Sequence, residues 1–345
     1  MLKDIITDVA GKQVYEFVSK YVDVENNTTQ VLMTSTKFNV DKLENNKFNN
    51  IVNLKKINDV IRINKFIKAI NKKLPLDGLY IGCVETYLLR RIRILKKYPP
   101  VLNVLYFWFD FIFKRVFPKL PITKKIYFFI TLGRNRAISK VETYGRLYSC
   151  GFKIIDETVI NHLQYFVVQK VKESPIKVYP SYGFFFGMRR VGKNGKLITV
   201  YKIRTMRPYS EYLQEYIYEK NKLQEGGKIK NDIRITRWGK FLRKFWIDEI
   251  PMIYNILKGD LKLVGVRPLS QHFLSLYTHE LREKRMKFKP GLIPPFYKDM
   301  PKTLEEIMES ESKYLDAYEK SPFITDIKYF FAIFYNIVIK KARSH

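Results

Sequence analysis

The sequence is poor in the residues that staple small proteins together or bind metals in them. Two cysteines, Cys83 and Cys150, stand among 345 residues, which gives no disulfide framework and no metal-ligand spacing, so reduced and buried thiols are expected. Four histidines, His162, His272, His279 and His345, are scattered without an HxxxH or HExxH pattern, which argues against zinc chemistry. No run reaches the roughly 18 apolar residues that a spanning helix needs. The N-terminal stretch MLKDIITDVAGKQVYEF does not read as a signal peptide, because acidic residues interrupt any apolar core. Acid is scarce throughout. There are 33 Asp+Glu against 63 Lys+Arg, a formal charge of +30. Such an excess points to an anionic partner: nucleic acid, an anionic membrane surface, or a phosphorylated substrate.

What is plentiful is apolar and aromatic surface. Hydrophobic residues make up 46% of the chain and aromatics 15%, with 25 Phe and 24 Tyr, many beside Lys or Arg. This amount of apolar residue excludes a disordered chain, and the length allows two or three structural units. Aromatic side chains interleaved with cations are also the make-up of interfacial membrane helices.

The organisation along the chain follows from periodicity and punctuation. Asn-rich stretches, VENNTTQ and LENNKFNN, read as loops within the first fifty residues. From Leu54 a basic amphipathic helix is expected, with Leu54, Ile57, Val60, Ile61, Ile63, Ile67 and Ile70 apolar, ending at Pro75. Residues 1–100 thus read as a basic helical unit. The segment 101–131 is the densest aromatic region, with apolar halves 101–113 and 126–132 around Pro118 and Pro121. Each half is too short to cross the roughly 30 Å of hydrocarbon, which leaves either a buried helical hairpin or one that enters a single leaflet and returns. Residues 132–179 read as a small soluble insert, with strand candidates at FKIID and LQYFVVQKV.

The sharpest local signal is FFFGMRRVGKNGKLITVYKIRTM, where Asn194-Gly195 between strand-like runs marks a β-hairpin. Alternation on the second strand puts Lys202 and Arg204 on one face, a spacing suited to a diphosphate and equally to an ordinary solvated sheet face. A helix is expected from about Thr236, with Trp238, Phe241, Leu242 and Phe245 on its apolar side. The adjacent acids Asp248 and Glu249 follow directly. Pro251 then opens a new helix, PMIYNILK, closed by Gly259. Thr303 and Glu306 have capping-box spacing, and an aromatic-basic helix, DIKYFFAIFYNIVIKKARSH, ends the chain.

Four of these stretches, RRVGKNGKLITVYKIRTM, NDIRITRWGKFLRKFWIDEIP, NILKGDLKLVGVRP and KPGLIP, resemble the bacterial sugar transferase family, the monotopic polyprenyl-phosphate phosphoglycosyl transferases, in order and spacing over roughly 180–295. The resemblance implies transfer of a phosphosugar from a UDP-sugar to a polyprenyl (undecaprenyl) phosphate with release of UMP, through an aspartyl-phosphosugar intermediate. That step would start a lipid-linked glycan. Asp248 and Glu249 match the family's catalytic dyad, with Asp248 as nucleophile and Glu249 as metal ligand or base. Lys202, Arg204, Arg243 and Arg267 are then the phosphate and nucleotide clamps. Mg²⁺ is the implied cofactor, held by Asp248 and Glu249 together with substrate phosphates. The chain departs from the family's common pattern at Met188, Met252 and Val266, and after KPG it reads LIPPFYKDMP.

The fold expected is therefore α+β: a mainly helical membrane-associated domain with a small β-hairpin or sheet and a re-entrant membrane helix at 101–131, followed by the insert 132–179 and a catalytic domain at 180–345. The expected partners are a UDP-sugar donor, a polyprenyl phosphate acceptor and inner-membrane lipids, at the cytoplasmic face of a bacterial inner membrane. No nucleic acid is expected, and a homo-oligomer is left open. Two rival readings are a basic nucleic-acid binder and a catalytically silent scaffold of the same fold. The first leaves Asp248-Glu249 unexplained, and the intact charged set argues against the second.

Overall fold

A computed structural model describes residues 2–176, 183–221 and 232–339. The chain is mixed α+β, about 52% helical with small sheets, and divides into two compact units: residues 1–182 with 208–215, and residues 183–207 with 216–345. The boundary expected at 179/180 falls among residues 177–182, and most of the polar stretch QEGGKIKND falls among 222–231, both outside the described residues.

The first unit is built on a five-stranded sheet of order β1-β2-β3-β5-β4, with β1 Thr29–Leu32, β2 Asn50–Asn53, β3 Leu79–Val84, β4 Phe152–Ile160 and β5 Leu163–Lys170. β1, β2 and β3 are parallel, and β5 runs antiparallel to both β3 and β4. The sequence LYIGCV of β3 is apolar on both sides because the sheet is covered on both faces. One face packs Ile81, Cys83, Tyr165 and Val167 against Val14, Phe17 and Val18 of the N-terminal helices. On the other, Tyr80 meets the rings of Phe152 and Phe166. FKIID and LQYFVVQKV are strands, as read from sequence, and they turn at Asn161-His162, both with positive φ.

Two expectations are corrected here. Residues 1–100 are not purely helical, since they supply three strands, and β4 and β5 of 132–179 complete the same sheet rather than forming a separate insert. The helix expected from Leu54 begins only at Ile63 and ends at Lys73. Asn58 is the physical reason for the later start. Its Nδ2 donates to the carbonyls of Glu85 (2.8 Å) and Arg136 (2.7 Å), and its Oδ1 accepts from the Glu85 amide, 2.7 Å. Held by three bonds to distant backbone, this residue is committed to the short 3₁₀ turn Ile57–Asp59 ahead of the helix.

Between β3 and β4 the chain leaves the sheet and forms an aromatic hairpin: helix Leu102–Phe111, a π-helical turn Ile112–Val116, a 3₁₀ turn Phe117–Lys119, and helix Pro121–Thr131. Pro121 opens the second helix at the position where its missing N–H costs nothing. Of the two helices only Asp110 and Tyr127 are buried. The apolar side chains face outward, with Phe129 86% and Ile122 78% exposed. This rules out the buried-hairpin alternative within the unit. The bend between the two helices is held to the rest of the unit by polar groups. Asp110 accepts from Arg90 Nε (2.6 Å) and Nη2 (2.8 Å), and Arg90 Nη1 also reaches Glu85 at 2.9 Å. Nearby, burial pushes the Glu142 carboxyl up, but Lys119, Arg146 and Arg115 outweigh it, so Glu142 sits well below the usual carboxylate range. No helix among the described residues is long and apolar enough to cross a membrane.

The second unit carries the expected hairpin, β6 Phe185–Val191 and β7 Leu197–Ile203, turned by Asn194 and Gly195 at φ 55° and 72°. A short parallel pair, β8 Lys262–Val264 and β9 Gly291–Ile293, lies elsewhere in it. Val200, Ile198, Met252 and Leu261 form one core cluster. A larger one gathers Val264 of β8, Tyr277, and Tyr314, Leu315, Tyr329 and Ile333 of the C-terminal helices Leu304–Lys320 and Pro322–Val338. The Thr303 hydroxyl caps the first of these helices by accepting from the Glu306 amide at 3.2 Å.

Candidate functional site

The site lies in the second unit, where β7 and the segment 236–251 meet. Thr236 starts the helix Arg237–Lys244 as expected, its Oγ1 accepting from the Gly239 amide at 2.8 Å. The helix lies directly against the strand end. A Cβ on Gly239 would come within 2.1 Å of the Thr205 carbonyl oxygen, so only glycine permits this approach. Trp246 in the left-handed region (φ 55°) ends the helix and turns the chain into the 3₁₀ turn Ile247–Glu249. Pro251 then leads into the helix Met252–Leu257, and Gly259 (φ 81°) follows as read from sequence. The two carboxylates therefore sit on a tight turn between two short helices. Asp248 is 8% exposed.

Four of the six residues singled out from sequence converge here. The Lys202 ammonium, on β7, forms a close ion pair with Glu249. Arg243, one turn before the dyad, donates from Nε to Thr205 Oγ1 at 2.9 Å, and its charge acts on Asp248. Burial and the neighbouring Glu249 charge raise the affinity of Asp248 for a proton above that of an ordinary aspartate, against the opposing pull of Lys202 and Arg243. Burial lowers the pKa of Arg243, opposed by Asp248 and Asp232 and reinforced by Arg234 and Arg267. Arg267 follows β8, and its carbonyl accepts from Arg285 Nη2 at 2.6 Å. Arg285 is itself in a buried ion pair with Glu311. Arg204 leans on β6, with its guanidinium 5.3 Å from the Phe186 ring centroid and its Nε donating to the Gly183 carbonyl at 2.8 Å.

Several supporting residues escaped the reading of the sequence. Arg190 on β6 is half-buried, and its pKa is lowered by burial and by the Arg267 charge, so it extends the cationic group. Its place within RRVG carried no separate signal. Asn255 is fully buried, donating to the Thr199 carbonyl at 2.7 Å and accepting from the Tyr201 amide at 3.1 Å, which fixes β7 three residues before Lys202 and again beside it. Arg234 pairs in fork geometry with Asp232, with bonds of 2.7–3.0 Å. Thr205 bridges the strand end to Arg243. A local pattern does not reveal such strand-to-helix contacts.

Among the described residues, no group of three or more His, Cys, Asp or Glu is placed to hold a metal ion. The carboxylate oxygens of Asp248 and Glu249 are nonetheless the hard donors that Mg²⁺ takes, and Mg²⁺ characteristically binds through one or two carboxylates plus substrate phosphates. An acid pair with Asp248 buried and Glu249 half-buried, edged by cations on a tight turn, is an arrangement that can hold phosphate charge beside a carboxylate oxygen.

The family described as bacterial sugar transferase matches residues 163–340, more than half of the chain, and the chain belongs to that family. A galactosyl transferase, CpsE, from Streptococcus agalactiae serotype III (strain NEM316) is 41% identical over 108 residues, 31% of this chain and 24% of that protein. An undecaprenyl-phosphate galactose phosphotransferase from Salmonella typhimurium (strain LT2) is 37% identical over 131 residues, 34% of this chain and 27% of its own. A UDP-glucose:undecaprenyl-phosphate glucose-1-phosphate transferase from Xanthomonas campestris pv. campestris is 36% identical over 112 residues, 31% of this chain and 21% of its own. The chain thus spans only about a quarter of the length of these relatives.

Proposed function

We propose that this protein is a phosphoglycosyl transferase that moves a sugar phosphate from a UDP-sugar to undecaprenyl phosphate, releasing UMP. Support comes from family membership, from relatives whose names state this reaction, and above all from one observation: the buried Asp248 set between Glu249, Lys202 and Arg243.

In the first step an Asp248 carboxylate oxygen attacks the sugar-linked phosphorus. A new O–P bond forms as the bond from that phosphorus to the bridging oxygen breaks, and UMP departs with the electron pair. In the second step a phosphate oxygen of undecaprenyl phosphate attacks the same phosphorus. The Asp248 O–P bond breaks, giving the sugar-diphosphate lipid and restoring the carboxylate. Lys202, Arg204, Arg243 and Arg267 hold the phosphates and withdraw charge from the transferring group, which a weak carboxylate nucleophile requires. Glu249 keeps Lys202 aligned and serves as metal ligand or as base towards the acceptor. Mg²⁺, when bound by Asp248, Glu249 and substrate phosphates, supplies further charge neutralisation.

The outward-facing apolar side chains of the helices Leu102–Phe111 and Pro121–Thr131 suit contact with one leaflet of a membrane. This reading places the protein at the cytoplasmic face of a bacterial inner membrane, where a lipid-linked glycan such as an exopolysaccharide or O-antigen begins. The direct test is UMP release from a panel of UDP-sugars with undecaprenyl phosphate and Mg²⁺. Wild-type turnover with one donor and loss of at least about a thousandfold in Asp248→Asn is expected for removal of a covalent nucleophile. Equal turnover by the variant would overturn the assignment.

A further inference from the structure

The acid pair hangs on one residue with an unfavourable backbone. Trp246 takes φ 55° and ψ 17°, a left-handed conformation that glycine adopts freely and a bulky side chain rarely does. Its backbone ties the preceding helix to the dyad. The Trp246 amide donates to the Arg243 carbonyl at 3.3 Å, and its carbonyl accepts from the Glu249 amide at 3.0 Å. Were Trp246 to relax to a right-handed or extended conformation, the chain would leave the helix in another direction, and Asp248 and Glu249 would move with it. A residue of this kind keeps its conformation only where the surrounding structure holds it there.

What holds it is the stretch LIPPFYKDMP, residues 292–301, in which the chain departs from the family's common pattern. The rings of Trp246 and Tyr297 lie with centroids 4.9 Å apart, inclined at 47°. Tyr297 sits on the short helix Phe296–Asp299, and this helix is clamped to both C-terminal helices. Asn336, buried on the helix Pro322–Val338, donates from Nδ2 to the carbonyls of Tyr297 (3.1 Å) and Lys298 (2.8 Å). Asp299 accepts from the Ser310 hydroxyl at 2.6 Å, and Tyr297 also packs against the core cluster around Tyr314 and Tyr329. All of these residues belong to the second unit. The Tyr297 ring is thus fixed from the C-terminal side, by contacts separate from the turn it touches.

We propose that Tyr297 is a positioning residue for the transfer reaction: its ring, by packing on Trp246, holds the left-handed backbone there, and with it the direction in which the turn Ile247–Glu249 presents Asp248. The C-terminal helices thereby act on the dyad through one aromatic contact, without supplying a group that touches substrate. The catalytic half of this inference rests on the function proposed above.

The test uses the full-length protein with Tyr297→Ala, Tyr297→Phe, Trp246→Ala, Trp246→Gly, and Tyr297→Ala combined with Trp246→Gly. Two readouts are taken: hydrogen exchange of the Glu249 amide, with the helix His279–Met286 as internal control, and kcat and KM for UMP release. Tyr297→Ala is expected to speed exchange at Glu249 at least about tenfold with the control unchanged, and to lower kcat about tenfold with KM within about twofold. Tyr297→Phe, which keeps the ring, should stay within about twofold of wild type in both readouts. Glycine needs no support to remain left-handed. Trp246→Gly should therefore keep more of the wild-type kcat than Trp246→Ala, and adding Tyr297→Ala to it should cost less than about twofold further. The reverse order of the two Trp246 variants, or the full loss on adding Tyr297→Ala to Trp246→Gly, would overturn the role of the left-handed backbone. Unchanged exchange at Glu249 in Tyr297→Ala would overturn the hold of the ring on the turn, and faster exchange with unchanged kcat would overturn the catalytic role. Should Tyr297→Ala unfold the unit, seen as lost protection in the control helix, the order of the two Trp246 variants still decides. Because exchange is read without substrate, it decides the hold on the turn even if the wild type turns over no UDP-sugar, a result that would count against the proposed function instead.

Discussion

At the scale of single residues, Asp248 carries a conflict between stability and use. Burial and Glu249 favour its neutral form, whereas the attack on phosphorus proposed above needs the carboxylate. The raised proton affinity sets the sign of two effects. Activity should fall as pH drops through a value above the usual aspartate range of about 4. Glu249→Gln removes the like charge and frees Lys202 from its partner, and both changes favour the ionised Asp248. The acid limb of kcat/KM is therefore expected to move to lower pH in that variant, and a limb that stays or moves up would contradict this electrostatic account. For stability, a raised folded-state pKa is a contribution present below the unfolded value and lost as pH rises through the folded one. At pH 7 the wild type has lost it. Asp248→Asn is consequently expected to melt a few degrees higher than wild type, about 2–4 °C for each kcal/mol regained in a chain of this size. A lower Tm, measured by calorimetry at pH 7, would show that the cations outweigh burial at this carboxyl.

The residues of this centre were legible in the sequence to an uneven degree. Asp248, Glu249, Lys202 and Arg243 could be named because they stand in four stretches whose order and spacing mark a family. Arg190, Thr205, Asn255 and the Arg234–Asp232 pair could not. Each acts through a contact between elements far apart in sequence, such as Asn255 with Thr199 and Tyr201, and one-dimensional pattern holds no trace of that.

Among the elements, the β6–β7 hairpin and the helix starting at Thr236 were readable because their signals are local: Asn-Gly at a two-strand turn, and a threonine at an N-cap. β1 and β2 were missed. TQVL and NIVN are four residues each, lie among asparagines, and owe their strand state to parallel pairing with β3, which is a non-local property. The contact between the helix Arg237–Lys244 and the end of β7 permits one sharp test. Gly239→Ala would bring a methyl group within 2.1 Å of the Thr205 carbonyl oxygen, so the helix must shift. Because Arg243 is carried on that helix, a displacement of about 1 Å is expected to cost on the order of a hundredfold in kcat. Retained wild-type kcat would show that the approach is not needed for the reaction.

The aromatic hairpin gives the second test at this scale. Asp110 is buried against Arg90 and Lys114, so Asp110→Ala removes the fork partner of the buried Arg90, which keeps only Glu85 as a carboxylate, and is expected to destabilise the first unit by about 3 kcal/mol. Cysteines introduced at positions 101 and 131 should react with a membrane-impermeant reagent from one and the same side, since Cys83 and Cys150 are buried and leave the background low. Labelling from opposite sides would mean that the segment crosses the bilayer.

Taken as a whole molecule, the chain is two folded units, each with its own apolar core, and the excess of 63 Lys+Arg over 33 Asp+Glu is shared between tasks. Some cations are internal, as at Arg90 with Asp110 and at Arg285 with Glu311. Others gather at the acid pair, where the proposed reaction needs phosphate charge withdrawn. The division into units was only partly visible beforehand, because the first unit returns to claim 208–215 from the middle of the family-like stretch, and nothing in that stretch marks Tyr209 as a core residue.

The account turns on whether Asp248 becomes covalently loaded. Incubation of the full-length protein with a turned-over UDP-sugar and Mg²⁺, without lipid acceptor, followed by intact-mass and peptide mass spectrometry, reads this directly. The account predicts a mass increase of one sugar phosphate per chain on the peptide holding Asp248, a matching burst of UMP, loss of the adduct on adding undecaprenyl phosphate, and no adduct in Asp248→Asn. UMP release that begins only when acceptor is added, with no adduct on the wild type, would contradict it.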